Sequence, residues 1–270
     1  MRALCQDSEF GYEISMRDRL RLIKEAGFDR VAISWTNKYI HNQVPYVQAN
    51  WDEFPALAEE AGLKVDNVHC EFITCDSLWD DTLEGQTYFD TINNTLKNCG
   101  LRRIPTVIFH PATNPIGGLI NDLGKKRFAL LTETAEKYNV NIAVENIRNA
   151  EHLNYMLSNF NSKKVGFCYD IGHQNCFSSY VDVLEAFGDR LMALHLHDNH
   201  GKVDEHLLPF DGNVDWDNFS AAMQKLDYKG CVELESMSFS YRNGEYPTPE
   251  SYLAESYKRA VQIAEMLDEK

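Results

Sequence analysis

The chain alternates short apolar segments with longer amphipathic segments, and this alternation limits the fold more than any other feature of the sequence. The apolar segments are predicted strands, and they lie at 3–6, 30–35, 65–71, 106–111, 142–147, 165–170, 191–197 and 231–236. Several are continuous apolar runs, as is typical of parallel strands covered on both faces. No linker or low-complexity segment interrupts the pattern over 270 residues.

The segments between the strands have the 3.6-residue period of amphipathic helices. MRDRLRLIKEAG places Leu20 and Ile23 at helical spacing and ends at Gly27, and WDEFPALAEEAG ends at Gly62. Glycine directly after the last turn is typical of a helix end, because it adopts a left-handed backbone without strain. Eight such units predict a single (β/α)8 TIM barrel over residues 1–270. An open doubly wound sheet is the alternative, and the lack of a Gly-rich loop after the first strand disfavours it.

The composition excludes several classes of protein. The formal net charge of −15 repels nucleic acid and anionic membranes at long range, so neither is an expected partner. No apolar run is long enough to cross a bilayer, and MRALCQDSEF lacks the apolar region of a secretory signal. The seven cysteines are scattered without a CxxC pair, which favours free thiols in a reducing cytoplasm. A homo-oligomer remains open.

Histidines and carboxylates stand at or just after the carboxyl ends of six predicted strands. They are His69, His110, Glu145, Asp170, His173, His195, Asp204, His206 and Glu235. In a TIM barrel these strand ends face one common mouth. Imidazole and carboxylate groups are ligands of divalent ions such as Zn, Mn, Co and Mg. The pattern therefore predicts a metal centre at the mouth of the barrel.

Each of these residues has an ordinary explanation when taken alone, because a carboxylate at a strand end often caps the next helix. The set is different, since Glu145, Asp170 and Glu235 stand in apolar strands. Burying several like charges there is costly unless cations neutralise them. Glu233 is the alternative to Glu235, because residues two apart share a face of a strand.

The motifs NVHCEF, VIFHP, VEN, YDIGH, HLHDNHGKVDEH and VELE resemble, in this order, those of the xylose isomerase-like barrel superfamily. That group contains sugar and sugar phosphate isomerases and epimerases, and also endonuclease IV. The resemblance implies that one ion is held by Glu145, Asp170, His195 and Glu235, as in the single-metal epimerases. It also implies that the full set of nine residues could hold up to three ions, as in the endonuclease branch. The same spacing leaves His197 as a neighbour rather than a ligand.

The first functional hypothesis is a divalent-metal-dependent isomerase or epimerase of a small sugar or sugar phosphate. The reaction would transfer a proton through a metal-stabilised enediolate. The resemblance implies that Glu145 and Glu235 are both ligands and acid/base catalysts, one on each side of the substrate. His69 and His173 are candidates for substrate contact as well as for metal binding.

Three further residues are candidate substrate contacts. Trp35 and Trp79 follow the second and third strands, where they would form an apolar wall against a sugar ring or serve as ordinary rim packing. Arg148 follows Glu145 by three residues and would meet a phosphate or carboxylate, or remain a surface charge.

The alternative hypothesis is a multi-zinc phosphodiesterase of the endonuclease IV type, acting at abasic sites. The nine-residue match supports it. The acidic charge and the acidic loop CDSLWDD oppose it, because a duplex binder is expected to present a basic surface. A non-catalytic metal-binding barrel is a third hypothesis, which the complete ligand set disfavours.

Overall fold

Eight parallel strands form one sheet that curls into a nearly closed barrel. The computed structural model describes residues 2–34, 53–113, 118–148, 150–177, 182–226, 228–241 and 244–268. The strands are β1 (Leu4–Asp7), β2 (Arg30–Ser34), β3 (Lys64–His69), β4 (Thr106–Phe109), β5 (Asn141–Glu145), β6 (Val165–Asp170), β7 (Leu191–His195) and β8 (Val232–Leu234). Their order around the sheet is β7-β6-β5-β4-β3-β2-β1-β8, and a parallel bridge between Leu196 and Leu234 brings the two ends together. The predicted TIM barrel is confirmed.

Helices connect consecutive strands and cover the outside of the barrel. They are α1 (Met16–Ala26), α2 (Phe54–Glu60), α3 (Leu83–Arg102), α4 (Asp122–Tyr138), α5 (Ala150–Asn159), α6 (Ile171–Cys176), α7 (Val183–Phe187), α8 (Trp216–Lys225) and α9 (Pro249–Asp268). Short 3-10 turns lie at Cys75–Trp79, Gly188–Arg190 and Ser238–Ser240. Helix α1 ends as the sequence predicts, because Gly27 adopts a φ of 115° and its N–H caps the carbonyls of Ile23 and Lys24.

The main core lies between the sheet and the helices. Outward-facing strand residues such as Val31, Val107 and Phe167 are fully buried against the helices. Burying one such side chain contributes about 1.5–3 kcal/mol, so this layer holds the strands in register. The barrel interior is different: small apolar side chains in its middle give way to histidines and carboxylates at the carboxyl ends of the strands.

The end of β5 shows how the chain directs polar groups into the mouth. The side chain of Asn146 accepts a hydrogen bond from Asp170 N at 2.7 Å, and its Nδ2 donates to the Asp170 carbonyl at 2.8 Å. This paired contact joins β5 to β6 just beyond Glu145, so Glu145 and Asp170 are fixed side by side. Within the described residues, no helix has both the length and the apolar character that crossing a bilayer requires.

Candidate metal centre

All nine residues of the predicted ligand set meet at the mouth of the barrel. Four overlapping groups form there, and within each group the potential ligand atoms lie within 4.8 Å of one another. Three of them together contain all nine residues: Glu145–Asp170–His195–Glu235, His69–His110–Glu145, and His173–His197–Asp204–His206. The fourth, His69–His195–Glu235, shares its members with the first two. Residues more than one hundred positions apart are brought together because each stands at the same end of a parallel strand.

Glu145 lies at the centre of the site. Its Oε2 is 2.8 Å from His69 Nε2 and 3.1 Å from His110 Nε2. Its Oε1 is 3.1 Å from His173 Nδ1 and 3.3 Å from His195 Nδ1. One carboxylate therefore faces four imidazoles and belongs to two of the four groups, which suits a bridging position between two ions.

The third group contains a residue that the sequence interpretation set aside. His197 Nε2 is 3.1 Å from Asp170 Oδ1 and 3.7 Å from Asp204 Oδ1. The His197 ring also stacks on the ring of His206, with centroids 4.0 Å apart. The sequence feature that could have placed His197 at the site is its position two residues after His195, because alternate residues of an extended chain share a face.

Two backbone features make room for the group His173–His197–Asp204–His206. His206 has a φ of 50°, a left-handed conformation that is uncommon outside glycine and often found at functional sites. Its Nδ1 approaches the Glu235 carbonyl at 2.8 Å, which leaves Nε2 at 3.2 Å from Asp204 Oδ2. Gly172 lies directly against the ring of His197, where a Cβ atom would come within 1.9 Å of Cε1.

Glu235 and Glu233 occupy different depths of the barrel. Glu235 Oε2 lies 3.4 Å from His195 Nδ1, within the group that contains Glu145 and Asp170. Glu233 lies below it, where its Oε2 accepts a hydrogen bond from Asn67 Nδ2 at 2.5 Å and its Oε1 is 3.6 Å from the opposite nitrogen, His195 Nε2. The geometry thus favours Glu235 as the ligand and places Glu233 behind His195.

Hydrogen bonds between the side chains of the site leave several buried donor and acceptor atoms unsatisfied, and a metal ion would satisfy them. Six buried polar side-chain atoms of the residues at the mouth lack a hydrogen-bond partner among the described residues: Glu145 Oε1, Glu235 Oε2, His110 Nδ1, His195 Nδ1, His197 Nδ1 and Asp204 Oδ1. Leaving such atoms unpaired costs about 1–3 kcal/mol each. A cation would satisfy the carboxylate oxygens and the imidazole lone pairs together, so the residues present fit a divalent ion.

The pKa values of two carboxyl groups in the site, Glu145 and Glu235, are shifted in opposite directions. Burial raises the pKa of Glu145, but the imidazoles of His195 and His110 more than offset it and hold this pKa well below its usual range. Burial raises the pKa of Glu235 well above its usual range, and the carboxylates of Glu145 and Asp170 raise it further. Two carboxyl groups in one mouth therefore have opposite shifts, an arrangement that separates a base from an acid.

A cavity of about 540 Å³ opens from the site towards solvent. Its lining includes Phe72, Phe177, Asp76, Arg148 and His173. This volume lies in the range of small-molecule sites. The Arg148 guanidinium lies 4.5 Å from the centre of the Phe177 ring, so the predicted contact residue Arg148 does stand at the opening.

The interpretation of Trp79 as a wall of the mouth is not supported by its position. Trp79 is only 1% exposed, its indole N–H donates to the Pro111 carbonyl at 2.7 Å, and its ring packs against His152. It is therefore part of the core, as the ordinary packing alternative predicts. The aromatic side chains that line the cavity are Phe72 and Phe177, which the sequence interpretation did not single out. Trp35 lies outside the described residues.

An eight-stranded parallel barrel with histidines and carboxylates gathered at the carboxyl end of its strands defines a (β/α)8 barrel whose mouth offers donor atoms for a divalent ion. The chain belongs to the xylose isomerase-like TIM barrel family, whose profile matches residues 20–268.

Solved structures of the same fold include a D-tagatose 3-epimerase-like protein, with a TM-score of 0.74, 20% identity and coverage of 98% of each chain. D-psicose 3-epimerase from Clostridium cellulolyticum H10, solved with D-tagatose, has a TM-score of 0.76, 14% identity and coverage of 99% of each chain. Identities this low show similarity of fold alone.

Similarity in sequence is higher to uncharacterized protein y4fM of Sinorhizobium fredii, which is 40% identical over 140 residues. That match covers 48% of this chain and 42% of the relative. Matches of this kind span about half the length of the curated relatives, from 42% to 50%.

Proposed function

We propose that the protein is a divalent-metal-dependent isomerase or epimerase of a small sugar or sugar phosphate. The observation that carries the proposal is the group Glu145–Asp170–His195–Glu235, whose ligand atoms lie within 4.8 Å of one another beside a cavity of about 540 Å³. The fold neighbours named as sugar 3-epimerases support this choice of reaction.

The four residues would hold one ion, and the other groups offer positions for up to two more. A bound divalent ion supplies Lewis-acid polarisation of neighbouring carbonyl and hydroxyl oxygens of a substrate. The chemistry of the ligands, neutral imidazoles with carboxylates, suits Zn, Mn, Co or Mg.

Proton transfer falls to the two carboxyl groups with opposite pKa shifts. Glu145, held ionised by its imidazole neighbours, is suited to accept a proton from a substrate carbon next to a carbonyl. Glu235, a member of the same ligand group, would return a proton from the other side; without an ion, burial and the carboxylates of Glu145 and Asp170 raise its pKa. His69 and His173 contact Glu145 from two directions and would orient its carboxylate as well as the substrate.

The phosphodiesterase remains the second candidate, because the mouth contains several overlapping groups that together could hold more than one ion. Two features of the structure favour the smaller substrate. Asp76 and Asp204 line the cavity, and the chain carries a net charge of −15. Both make the approach of a polyanionic duplex unfavourable.

The seven cysteines support our proposal that the protein works in the reducing environment of the cytoplasm. All seven are free thiols in the structure, including Cys5 and Cys231, which lie in one group within the barrel. Disulfides persist in oxidising compartments, whereas cytoplasmic thiols stay reduced.

The test compares two reactions of the same metal-loaded protein at moderate salt. We expect deuterium from solvent to enter C2 or C3 of a ketose or sugar phosphate, and we expect both Glu145→Gln and Glu235→Gln to abolish the exchange. Glu84→Gln, which changes an exposed carboxylate at the start of α3, is the matched control and should leave it intact. Efficient incision of abasic DNA that is lost in Glu145→Gln would instead establish the phosphodiesterase.

A further inference from the structure

A second group of potential ligands lies inside the barrel, well below the mouth. It consists of Cys5 in β1, Cys231 just before β8, and Glu233 in β8. Their ligand atoms lie within 4.8 Å of one another, and the residues are 0%, 5% and 1% exposed. Strand register produces this contact: Cys5 pairs directly with Glu233 across β1 and β8, and Cys231 shares the face of Glu233 because it is two residues away.

The surroundings of the group leave polar atoms without partners. Glu233 Oε2 accepts a hydrogen bond from Asn67, but Glu233 Oε1 and Asn67 Oδ1 are buried and have no hydrogen-bond partner among the described residues. The neighbouring cation, Arg30, is already paired with Asp66 at 2.6 Å. A carboxyl oxygen buried to this degree without a hydrogen-bond partner is destabilising.

The geometry points to a second metal site formed by Cys5, Cys231 and Glu233, which takes a borderline or soft divalent cation such as Zn²⁺. Two thiolates and one carboxylate are a donor set that zinc accepts in tetrahedral sites. Asp66 lies beside the Cys231 thiol but is paired with Arg30 at 2.6 Å, so it would become a fourth ligand only by releasing Arg30. The alanine side chains of Ala3 and Ala32 pack around the two cysteines.

Entry to this site is from the amino-terminal end of the barrel. Arg30 is the first residue of β2, and its side chain and that of Asp66 are 34% and 17% exposed. This end is opposite to the mouth, and the imidazole of His195 lies between Glu233 and the ligand group of the mouth. The site goes beyond the proposed sugar chemistry, because none of its three residues lines the cavity.

The test uses Co²⁺ as the probe, because thiolate ligands give Co²⁺ a near-ultraviolet charge-transfer band that imidazole and carboxylate ligands do not. We expect the reduced, metal-free protein to develop this band on titration with Co²⁺. Cys5→Ser and Cys231→Ser should each remove the band together with one equivalent of bound metal. Cys176→Ser should keep it, which matters because Cys176 is the thiol that follows His173 on α6.

The mouth and the second site are separated by Glu145→Gln, which should lower metal binding at the mouth and leave the thiolate band unchanged. Absence of the band at saturating Co²⁺ in the unmodified protein would overturn the inference without relying on any variant. A band that persists in both Cys5→Ser and Cys231→Ser, or that is lost in Cys176→Ser, would also overturn it.

Discussion

Replacing Gly172 with alanine tests whether His197 is fixed as the structure describes. Gly172 is the second residue of α6, so it lies in the first turn and not in a helix interior, where alanine is favoured over glycine by about 1 kcal/mol. The added Cβ would lie 1.9 Å from His197 Cε1, whereas ordinary contacts begin at 3.4 Å. The imidazole would therefore have to move by about 1.5 Å, the difference between these two distances.

The surroundings of His197 resist that movement. Its ring is fully buried, stacks on His206 at 4.0 Å and contacts Asp170 at 3.1 Å. Overpacking of this kind typically costs 1–3 kcal/mol, so we expect the free energy of unfolding to fall by about that amount. For a chain of this size the melting temperature should fall by roughly 2–12 °C.

The measurement is thermal unfolding of metal-free protein, so that the packing effect is separated from metal binding. Gly172→Ala combined with His197→Ala is the matched control, because removing the imidazole makes room for the new methyl group. We expect the double variant to be more stable than Gly172→Ala alone. An unchanged melting temperature in Gly172→Ala would refute the reasoning, and so would a double variant whose loss equals the sum of the single losses.

Three other variants test separate parts of the site. Asp170→Asn should leave a folded barrel, judged by circular dichroism, that binds much less metal by elemental analysis; full occupancy would remove Asp170 from the ligand list. Asp204→Ala with His206→Ala should lower the metal content while the core ion remains; an unchanged metal content with a raised KM would assign the pair to substrate, and no change in either would exclude both roles. Asp198→Ala should destabilise the fold, because the Asp198 carboxylate accepts hydrogen bonds from Trp216 Nε1 and from three main-chain N–H groups. The expected loss is at least about 1–3 kcal/mol, the cost of leaving one buried donor unpaired. A melting temperature within 1 °C of wild type, on the order of the experimental error, would contradict this prediction.

The barrel was predictable from sequence because its signal repeats. Each strand is a short apolar run, and eight runs separated by helical periods leave few arrangements other than a closed parallel barrel. The meeting of the nine candidate residues was predictable for a related reason, since residues at the ends of parallel strands meet even when they are far apart in the chain. Glu145 and Asp170 followed from this rule, and their paired neighbour Asn146 reinforces it.

The features that the sequence did not predict have a common cause, because they depend on how side chains pack between loops. The loop that carries Asp204 folds back so that His206 stacks on His197, and no local pattern encodes that return. Trp79 turned into the core because a glycine, Gly124, leaves space for its ring; a Cβ there would lie 2.1 Å from Cε3. The cavity is lined instead by the aromatic ring of Phe72. Phe72 directly follows Glu71, and the Glu71 carboxylate accepts main-chain hydrogen bonds within the same loop.

The seam where the barrel closes lies at the site itself. Main-chain hydrogen bonds of 3.0 and 3.2 Å join Leu196 to Glu233 and Glu235, and the neighbouring residues His195 and Glu235 belong to the core group. Candidate ligands from β7 and from the end of β8 therefore span the junction between the two ends of the sheet. The proposed ion would link these two strands, and its removal should loosen their junction first, so amide exchange at Leu196 and Glu235 would report whether the site is filled.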